Sequence, residues 1–209
     1  MHELERLSAP ELADLLERGV RTAVVPFGSI EHQGAHLPLG ADAILADHVG
    51  RAVAAALDGV LVPTVRVGYA DSRMALIGTL TVSERTLADT AVDLGESLAA
   101  HGFGVIALVS THGGNRAPLR VAAGLLNERL ARGVACAPEG DVGPDPGRHS
   151  GRWLTSVMLS LCPGLVDADA AGPELSAELR AASAERGAAH LERFVGSVVE
   201  AVRASEVEH

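Results

Sequence analysis

The stretch GVIALVS at residues 104–110, followed directly by THGGN at residues 111–115, decides the fold of this 209-residue chain. An apolar run of this length that ends in a glycine-containing loop predicts a strand buried in the middle of a parallel sheet. A second such run, TAVVPF at residues 22–27, precedes a loop rich in glycine, proline and histidine. Loops that leave parallel strands at their carboxyl ends are where sites gather in sheets of this kind.

Further strands and helices alternate on either side of these two runs. The pattern predicts strands at 60–67 and 134–138, a short extended piece at 78–82, and helices at 43–56, 83–101, 118–132, 150–161 and 173–204. Ser83 is a suitable N-cap for the second of these helices. This order predicts an α/β protein with a mostly parallel sheet covered by helices on both faces. Without repeats or linkers, we expect one domain over residues 1–209.

Composition excludes several classes of partner. The chain has no lysine and a formal net charge of −10, which would repel both a nucleic acid and an anionic membrane surface. No apolar run reaches the roughly 18 residues of a membrane span, and no secretory signal is evident at the start. Cys136 and Cys162 fit reduced core residues better than a disulfide framework. We therefore expect a cytoplasmic protein without nucleic-acid or membrane partners.

Histidines and carboxylates collect in the loops that follow the two strands. The first loop, at residues 28–42, reads GSIEHQGAHLPLGAD, and the second, at residues 110–115, reads STHGGN. Carboxylate oxygens and an imidazole nitrogen suit Zn²⁺, Mn²⁺ or a similar divalent ion. From spacing alone, the same residues serve equally well as loop-capping aspartates and hydrogen-bonded histidines.

These loops resemble the motifs of the creatininase (creatinine amidohydrolase) family. The first matches a signature of the form GSxEQHGPHLPLGTD, the second matches NGHGGN, and residues 149–156 (HSGRWLTS) match a third motif, HAGxxETS. Members of the family from mycofactocin gene clusters are similar in size and order. The resemblance implies a three-layer α/β/α fold, a homo-oligomer (a hexamer, often built from dimers) and a two-metal centre that hydrolyses C–N amide bonds.

Carried over residue by residue, the resemblance implies an incomplete metal centre. Glu31, Asp42 and His112 match the ligands of the first metal. The second metal's imidazole and carboxylate are replaced by Gln33 and Leu154. His32 would be an alternative ligand only if a kink turned it round, because adjacent residues of extended backbone point to opposite sides. We therefore expect one Zn or Mn per chain rather than two.

The remaining candidates concern catalysis and substrate binding. His149 matches the third-motif histidine, a proton carrier beside Glu31 at the centre, although it would also serve as a helix cap. Arg73 would clamp a carboxylate or phosphate, or else face solvent. Further candidate contacts are the oxyanion-binding N–H groups of Gly113 and Gly114, the side chains of Asn115 and Trp153, and, behind the ligands, an orienting His36.

The function predicted from these residues is a one-metal amidohydrolase acting on a small or peptide-derived amide. Two alternatives stay open at this point. An altered enzyme of the same family would carry out ring opening, deformylation or a non-hydrolytic step on an acidic substrate. A non-catalytic member would serve as a binding or assembly subunit, and it would bind no metal.

Overall fold

Five parallel strands form the centre of the protein in a computed structural model that describes residues 1–131, 133–144 and 147–207. The strands are β1 (His2–Glu3), β2 (Thr22–Phe27), β3 (Val60–Leu61), β4 (Val105–Ser110) and β5 (Val134–Cys136), arranged in the order β1-β3-β2-β4-β5. Every pair of neighbours runs parallel. The predicted parallel sheet is confirmed.

The described residues form seven α-helices, of which all but the sixth contribute to the apolar clusters on the two faces of the sheet. They are α1 (Ala9–Glu17), α2 (Ala41–Ala56), α3 (Glu84–Ala100), α4 (Arg116–Arg129), α5 (Arg152–Leu161), α6 (Pro173–Leu179) and α7 (Ala184–Val207). One apolar cluster joins α2, α5 and α7 to the sheet, and a second joins α1, α3 and α4 to its other face. This is the three-layer α/β/α arrangement that the resemblance implied.

Alternation along β2 explains why both faces are covered. Ala23, Val25 and Phe27 belong to the cluster with α3 and α4, whereas Val24 belongs to the cluster with α2 and α7. Because successive side chains of a strand point to opposite faces, a strand that is apolar at every position needs a layer on each side. All six residues of β2 are accordingly buried.

The path of the chain opens a crevice between β2 and β4. From β2 the chain passes to β3 on one side, and it then crosses to β4 on the other side of β2. Phe27 and Ser110, the last residues of β2 and β4, are paired in register, so the loops that follow them start side by side. A crevice at such a reversal of strand order is the usual ligand site of an open parallel sheet.

Two predicted elements differ from the structure. The strand expected at 60–67 is regular only at β3. After the bond from the Val62 N–H to the Val24 oxygen, the next bond to β2 runs from the Val65 N–H to the Pro26 oxygen, one residue later than a regular ladder would give. The single helix expected at 173–204 is two helices, α6 and α7, since the Ser183 Oγ accepts the Arg186 N–H (3.3 Å) and starts a new helix. The predicted end of the 118–132 helix, Arg132, lies outside the described residues.

Other predicted elements are close to those observed. Ser83 caps α3 by accepting the Thr86 N–H at 3.0 Å, as expected. The extended piece near residue 80 appears as a single antiparallel bridge between Ile30 and Leu80. Within the described residues, no helix is both long enough and apolar enough to cross a lipid bilayer.

Candidate metal centre

Three side chains meet in the crevice between β2 and β4. Glu31 lies in the loop after β2, Asp42 in the first turn of α2, and His112 two residues after β4. One ligand atom from each lies within 4.8 Å of the other two. The His112 Nδ1 is 3.4 Å from both the Glu31 Oε1 and the Asp42 Oδ2. The structure thus brings together the three residues whose loops were expected to share this edge.

The backbone around His112 determines which ring nitrogen faces the carboxylates. The His112 Nε2 lies 2.9 Å from the carbonyl oxygen of Tyr69, which can only accept, so the Nε2 carries a proton and donates it. The lone pair of the Nδ1 is then available toward Glu31 and Asp42 whenever the ring is neutral. Histidine ligands of metals are commonly held in this way, with the second ring nitrogen bound to a backbone carbonyl.

The donor set fits a divalent ion. Two carboxylates and one imidazole are ligands that Zn²⁺ and Mn²⁺ accept, and three protein ligands with an open position are typical of catalytic zinc. The Glu31 Oε2 is buried and has no hydrogen-bond partner among the described residues. A buried carboxylate oxygen without a partner is costly, and a cation would satisfy it.

Gln33 occupies the space beside the two carboxylates. Its Nε2 donates to the Asp42 Oδ2 at 2.9 Å and to the Glu31 Oε1 at 3.3 Å, and the side chain is fully buried. Because carboxylates only accept, these two bonds fix the direction of the amide, and the Gln33 Oε1 accepts the hydroxyl of Ser150 at 2.7 Å. An amide N–H₂ group therefore stands where the resemblance would have placed a ligand of a second metal.

Leu154 and His32 are the other two residues considered as possible positions for a second-metal ligand. Leu154 is buried and lines a cleft that also contains Glu31 and Asp42. Its apolar side chain offers no atom that could bind a metal. His32 does not join the cluster, since its Nδ1 accepts the Gly34 N–H at 3.3 Å and its own N–H is held by the Thr79 hydroxyl at 3.1 Å. The kink that would have turned His32 toward the ligands is absent, so the structure does not support it as an alternative ligand.

His149 lies at the open side of the cluster. Its Nε2 is 3.0 Å from the carbonyl oxygen of His32, to which it donates, and its Nδ1 is 3.8 Å from the Glu31 Oε1. The loop that carries it is held by Glu178, whose Oε1 accepts the N–H groups of Arg148 (3.1 Å) and Arg152 (3.0 Å). His149 is thus positioned in the cleft with one nitrogen directed toward the ligands.

His36 acts on the centre less directly than expected. Its buried Nε2 lies 2.9 Å from the carbonyl oxygen of Ser150 and 3.1 Å from the Thr155 hydroxyl, and it touches neither Glu31 nor Asp42. Ser150 adopts a left-handed conformation (φ 57°), which is unusual for a residue other than glycine. His36 therefore helps to hold Ser150 in the position from which it orients Gln33.

Asn115 has a structural role in place of the expected substrate contact. It is fully buried, its Oδ1 accepts the Tyr69 N–H at 2.9 Å, and its Nδ2 donates to the carbonyl oxygen of Gly28 at 2.9 Å. These bonds tie together the loops that follow the strands. They also hold Tyr69, whose carbonyl orients His112.

Gly113 and Gly114 line the cleft as expected. They open a short helical turn before α4, and the first N–H groups of such a turn have no acceptor within it. At Gly114 a β-carbon would lie 2.1 Å from the Tyr69 oxygen and 2.6 Å from the His112 Nε2. Only glycine leaves room for the bond between these two atoms.

Two adjoining clefts give access to the cluster. One, of about 350 Å³, is lined by Glu31, Asp42, His149, Leu154 and Trp153. The other, of about 250 Å³, is lined by Glu31, Tyr69, Arg73, His112 and His149. Trp153 is 8% exposed and packs against His190 and Phe194, with ring centroids 5.9 Å apart in both pairs. Trp153 forms a wall of the first cleft, and Arg73 lies in the second.

Burial dominates the electrostatics of the cluster. Burial raises the pKa of Glu31 to about 7, against the lowering influence of His112. Burial lowers the pKa of His112, but the hydrogen bond and charge of Asp42, together with the charge of Glu31, outweigh it and raise that pKa overall. Burial lowers the pKa of His149, so its ring is neutral near pH 7. A cation bound between these groups would favour the deprotonated forms of Glu31 and His112.

Comparison with known proteins gives a consistent result. The creatininase family profile, described as creatinine amidohydrolase, matches residues 5–197. A mycofactocin precursor peptide peptidase from Mycobacterium ulcerans is 33% identical over 157 residues, which are 70% of this chain and 60% of that protein. The chain therefore spans less than two thirds of that relative's length.

Solved structures show the same fold. A mutant creatininase described as the Zn-Zn type and a creatininase described as the Mn form each give a TM-score of 0.81. Both are 23% identical to this chain, and each match covers 98% of both chains.

Proposed function

The chain belongs to the creatininase family, and on that premise we propose that it is a metal-dependent amidohydrolase that cleaves a C–N amide bond in a small or peptide-derived substrate. The observation that carries the proposal is the convergence of Glu31, Asp42 and His112, with the His112 Nε2 proton given to the Tyr69 carbonyl. That arrangement turns three metal-binding atoms toward one point in an accessible cleft. The names of its relatives, a precursor peptide peptidase and creatininases, support the same class of substrate.

We propose Zn or Mn as the ion, held by Glu31, Asp42 and His112. When bound, such an ion supplies polarisation of the amide carbonyl and lowers the pKa of water in its coordination sphere toward about 7. One ion per chain follows from Gln33 and Leu154. The Gln33 N–H₂ group donates to both carboxylates, and a donor cannot act as a ligand.

The chain's own groups supply the proton transfers. His149 donates its Nε2 proton to the His32 carbonyl, so its neutral Nδ1 faces the cleft as a proton acceptor. From there it takes a proton from the attacking water and returns it to the leaving nitrogen. We expect the N–H groups of Gly113 and Gly114, which line the same cleft, to bind the oxygen that becomes negative during the attack.

Metal analysis of the purified protein tests the proposal. We expect about one tightly bound Zn or Mn per chain. Asp42→Asn should weaken metal binding by more than about 100-fold, since even the loss of an outer partner of a ligand costs roughly 10–100-fold. Asp47→Asn is the matched control, because Asp47 lies on the same helix but pairs with Arg66 at 2.7 Å.

Assays of hydrolytic activity are the second test of the proposed function. Hydrolysis of creatinine, of N-acyl amino acids and of short peptides should be assayed with the metal-loaded protein and with Glu31→Gln. A protein that binds no metal in wild-type form would contradict the proposal and favour a binding or assembly role. Self-association, which the family resemblance implies, stays a separate prediction.

A further inference from the structure

Arg73 lies in the cleft beside the candidate metal centre. It ends the short helical turn Asp71–Arg73 and lines the 250 Å³ cleft together with Glu31, Tyr69, His112 and His149. Its positive charge acts on other groups that line the cleft. Besides the larger effect of burial, which raises the pKa of Glu31 and lowers that of His149, the charge of Arg73 contributes a lowering influence on both pKa values. The guanidinium therefore shares its space with the groups proposed to carry out the reaction.

Arg73 lacks the counter-ion that neighbouring arginines have. Arg116, at the edge of the other cleft, pairs with Glu139 at 3.6 Å, and Arg148 also has interaction partners. No residue that the structure describes forms an ion pair with Arg73, even though Asp71 lines the same cleft. Arg73 is half-buried, so part of its hydration is lost, and no ion pair with a described residue replaces it. An anion in the cleft would compensate for that loss.

The shape of the guanidinium indicates which anion. Its planar set of N–H groups binds the two oxygens of a carboxylate in parallel, which a lysine cannot do. The rest of the cleft is acidic, so a group with a single negative charge fits better than a phosphate with more. A carboxylate bound to Arg73 would also place the remainder of its molecule toward Glu31, His112 and His149.

We propose that Arg73 binds a carboxylate of the substrate, so that this site takes amides bearing a carboxylate near the bond to be cleaved. The inference rests on the proposed function, because it names the substrate class of that same site. Two sources share this chemistry: an N-acyl amino acid and the carboxyl end of a peptide. Each contains an amide bond a few atoms from a carboxylate.

Binding of matched probes tests the proposal without relying on turnover. N-acetylglycine and N-acetylglycinamide differ only in the carboxylate, and N-acetyl-tetraglycine and its C-terminal amide differ in the same way on a longer chain. Calorimetric titration of the zinc-loaded protein should show tighter binding of each acid than of its amide. The pair with the larger difference identifies the source, an N-acyl amino acid or a peptide end.

Variants of Arg73 assign that preference to its side chain. Arg73→Ala should weaken binding of the acids by about 10- to 100-fold and leave the amides unchanged. Arg73→Lys should bind the acids with an affinity between those of the wild type and Arg73→Ala, because lysine keeps the charge and loses the paired N–H groups. Arg66→Ala is the control, since Arg66 pairs with Asp47 away from the clefts. Unfolding midpoints of all variants should agree, which excludes misfolding as the cause.

Failure of the Arg73 proposal and failure of the proposed hydrolase function would give different results in these experiments. Equal binding of acids and amides, or no measurable binding of either acid, would overturn it even if one zinc is bound. An acid preference that Arg73→Ala leaves intact would overturn it as well. If the protein binds no zinc but the metal-free form still prefers acids through Arg73, the carboxylate site stands and the hydrolase proposal fails.

Discussion

At the scale of single residues, the amide of Gln33 stands in for a cation. Its N–H₂ group donates to one oxygen each of Glu31 and Asp42, and these bonds fix the direction of the amide, because a flipped amide would set its oxygen against two carboxylates. The amide oxygen then accepts the Ser150 hydroxyl. A neutral hydrogen-bond donor at this point holds the two carboxylates in place without adding another charge to the buried cluster. Under the one-metal proposal, we expect it to exclude a second ion from that side of the cluster.

Restoring the two missing ligands should therefore restore a second metal. We expect the double variant Gln33→His with Leu154→Glu to bind about two Zn or Mn ions per chain, measured by elemental analysis after dialysis. Each single variant should stay near one, because one added ligand leaves the second position underligated. Two ions in the wild-type protein would contradict the role assigned to Gln33.

Cys136 gives a prediction about alkaline pH. Burial raises the pKa of its thiol from 9.0 to about 11, with a smaller lowering influence from Ser205. Between these values the unfolded chain releases the proton while the folded protein keeps it. The folded state then binds more protons, so the free energy of unfolding falls as pH rises from about 9 to 11.

The size of this effect is limited to roughly 2–3 kcal/mol by a shift of about two pH units. Urea unfolding at pH 8.5 and at pH 10.5 measures it. Cys136→Ala should lose part of the alkaline decline in stability relative to the wild type, while a decline identical in both proteins would refute the assignment.

The sequence indicates the candidate metal ligands better than it indicates the residues that hold those ligands in position. The resemblance named Glu31, Asp42 and His112 as candidate ligands, and their positions after apolar strands or at the start of the next helix predicted only that they would share one edge of the sheet. The bond between Ser150 and Gln33 was not predictable, since it joins residues 117 positions apart and depends on a left-handed backbone at Ser150. Asn115 was assigned to substrate because its motif gives no sign that both ends of its amide bind backbone.

At the scale of elements, the contact between α5 and α7 depends on a glycine. A β-carbon at Gly187 would lie 1.9 Å from the carbonyl oxygen of Ser156, a backbone atom that cannot move aside cheaply. Gly196, on the same helix, has nothing within 4 Å of that position. The two glycines thus form a matched pair for substitution.

Alanine at these positions should have opposite effects. Gly187→Ala should destabilise the protein by about 1–3 kcal/mol, the usual cost of overpacking. Gly196→Ala should stabilise it by about 0.5–1 kcal/mol, because alanine is the better helix former at an open position. Chemical unfolding of the two variants measures both values, and effects of the same sign would contradict the close packing of α5 on α7.

Strands and helices were predictable where the pattern is strong and uninterrupted. β2 lies at the predicted residues because all six of its side chains are buried, which calls for a continuous apolar run. The region 60–67 is also largely apolar, yet it continues past β3 only through separate hydrogen bonds, from the Val62 N–H to the Val24 oxygen (2.9 Å) and from the Val65 N–H to the Pro26 oxygen (2.9 Å). Hydropathy does not distinguish these cases, because both stretches are largely apolar and each contains a proline, whereas only the second has an extra residue between its bonds to β2.

At the scale of the whole molecule, the site depends on the order of the strands. Because the chain reverses direction across the sheet between β3 and β4, loops distant in sequence begin side by side after β2 and β4. Two buried carboxylates, Glu31 and Asp42, are held there beside the imidazole of His112 by the surrounding fold. Folding the ion-free protein must therefore bring two carboxylates together in a place with little water.

Metal binding should consequently stabilise the entire fold. An ion that binds the folded chain alone adds about 2.7 kcal/mol when it is present at 100 times its Kd. For a chain of this size, that corresponds to a rise in Tm of roughly 5–10 °C. Differential scanning calorimetry with and without Zn²⁺ measures the shift, after chelation and dialysis of the protein. Asp42→Asn should remove most of the shift and Asp47→Asn should keep it, whereas equal shifts in both variants would place the stabilising ion elsewhere.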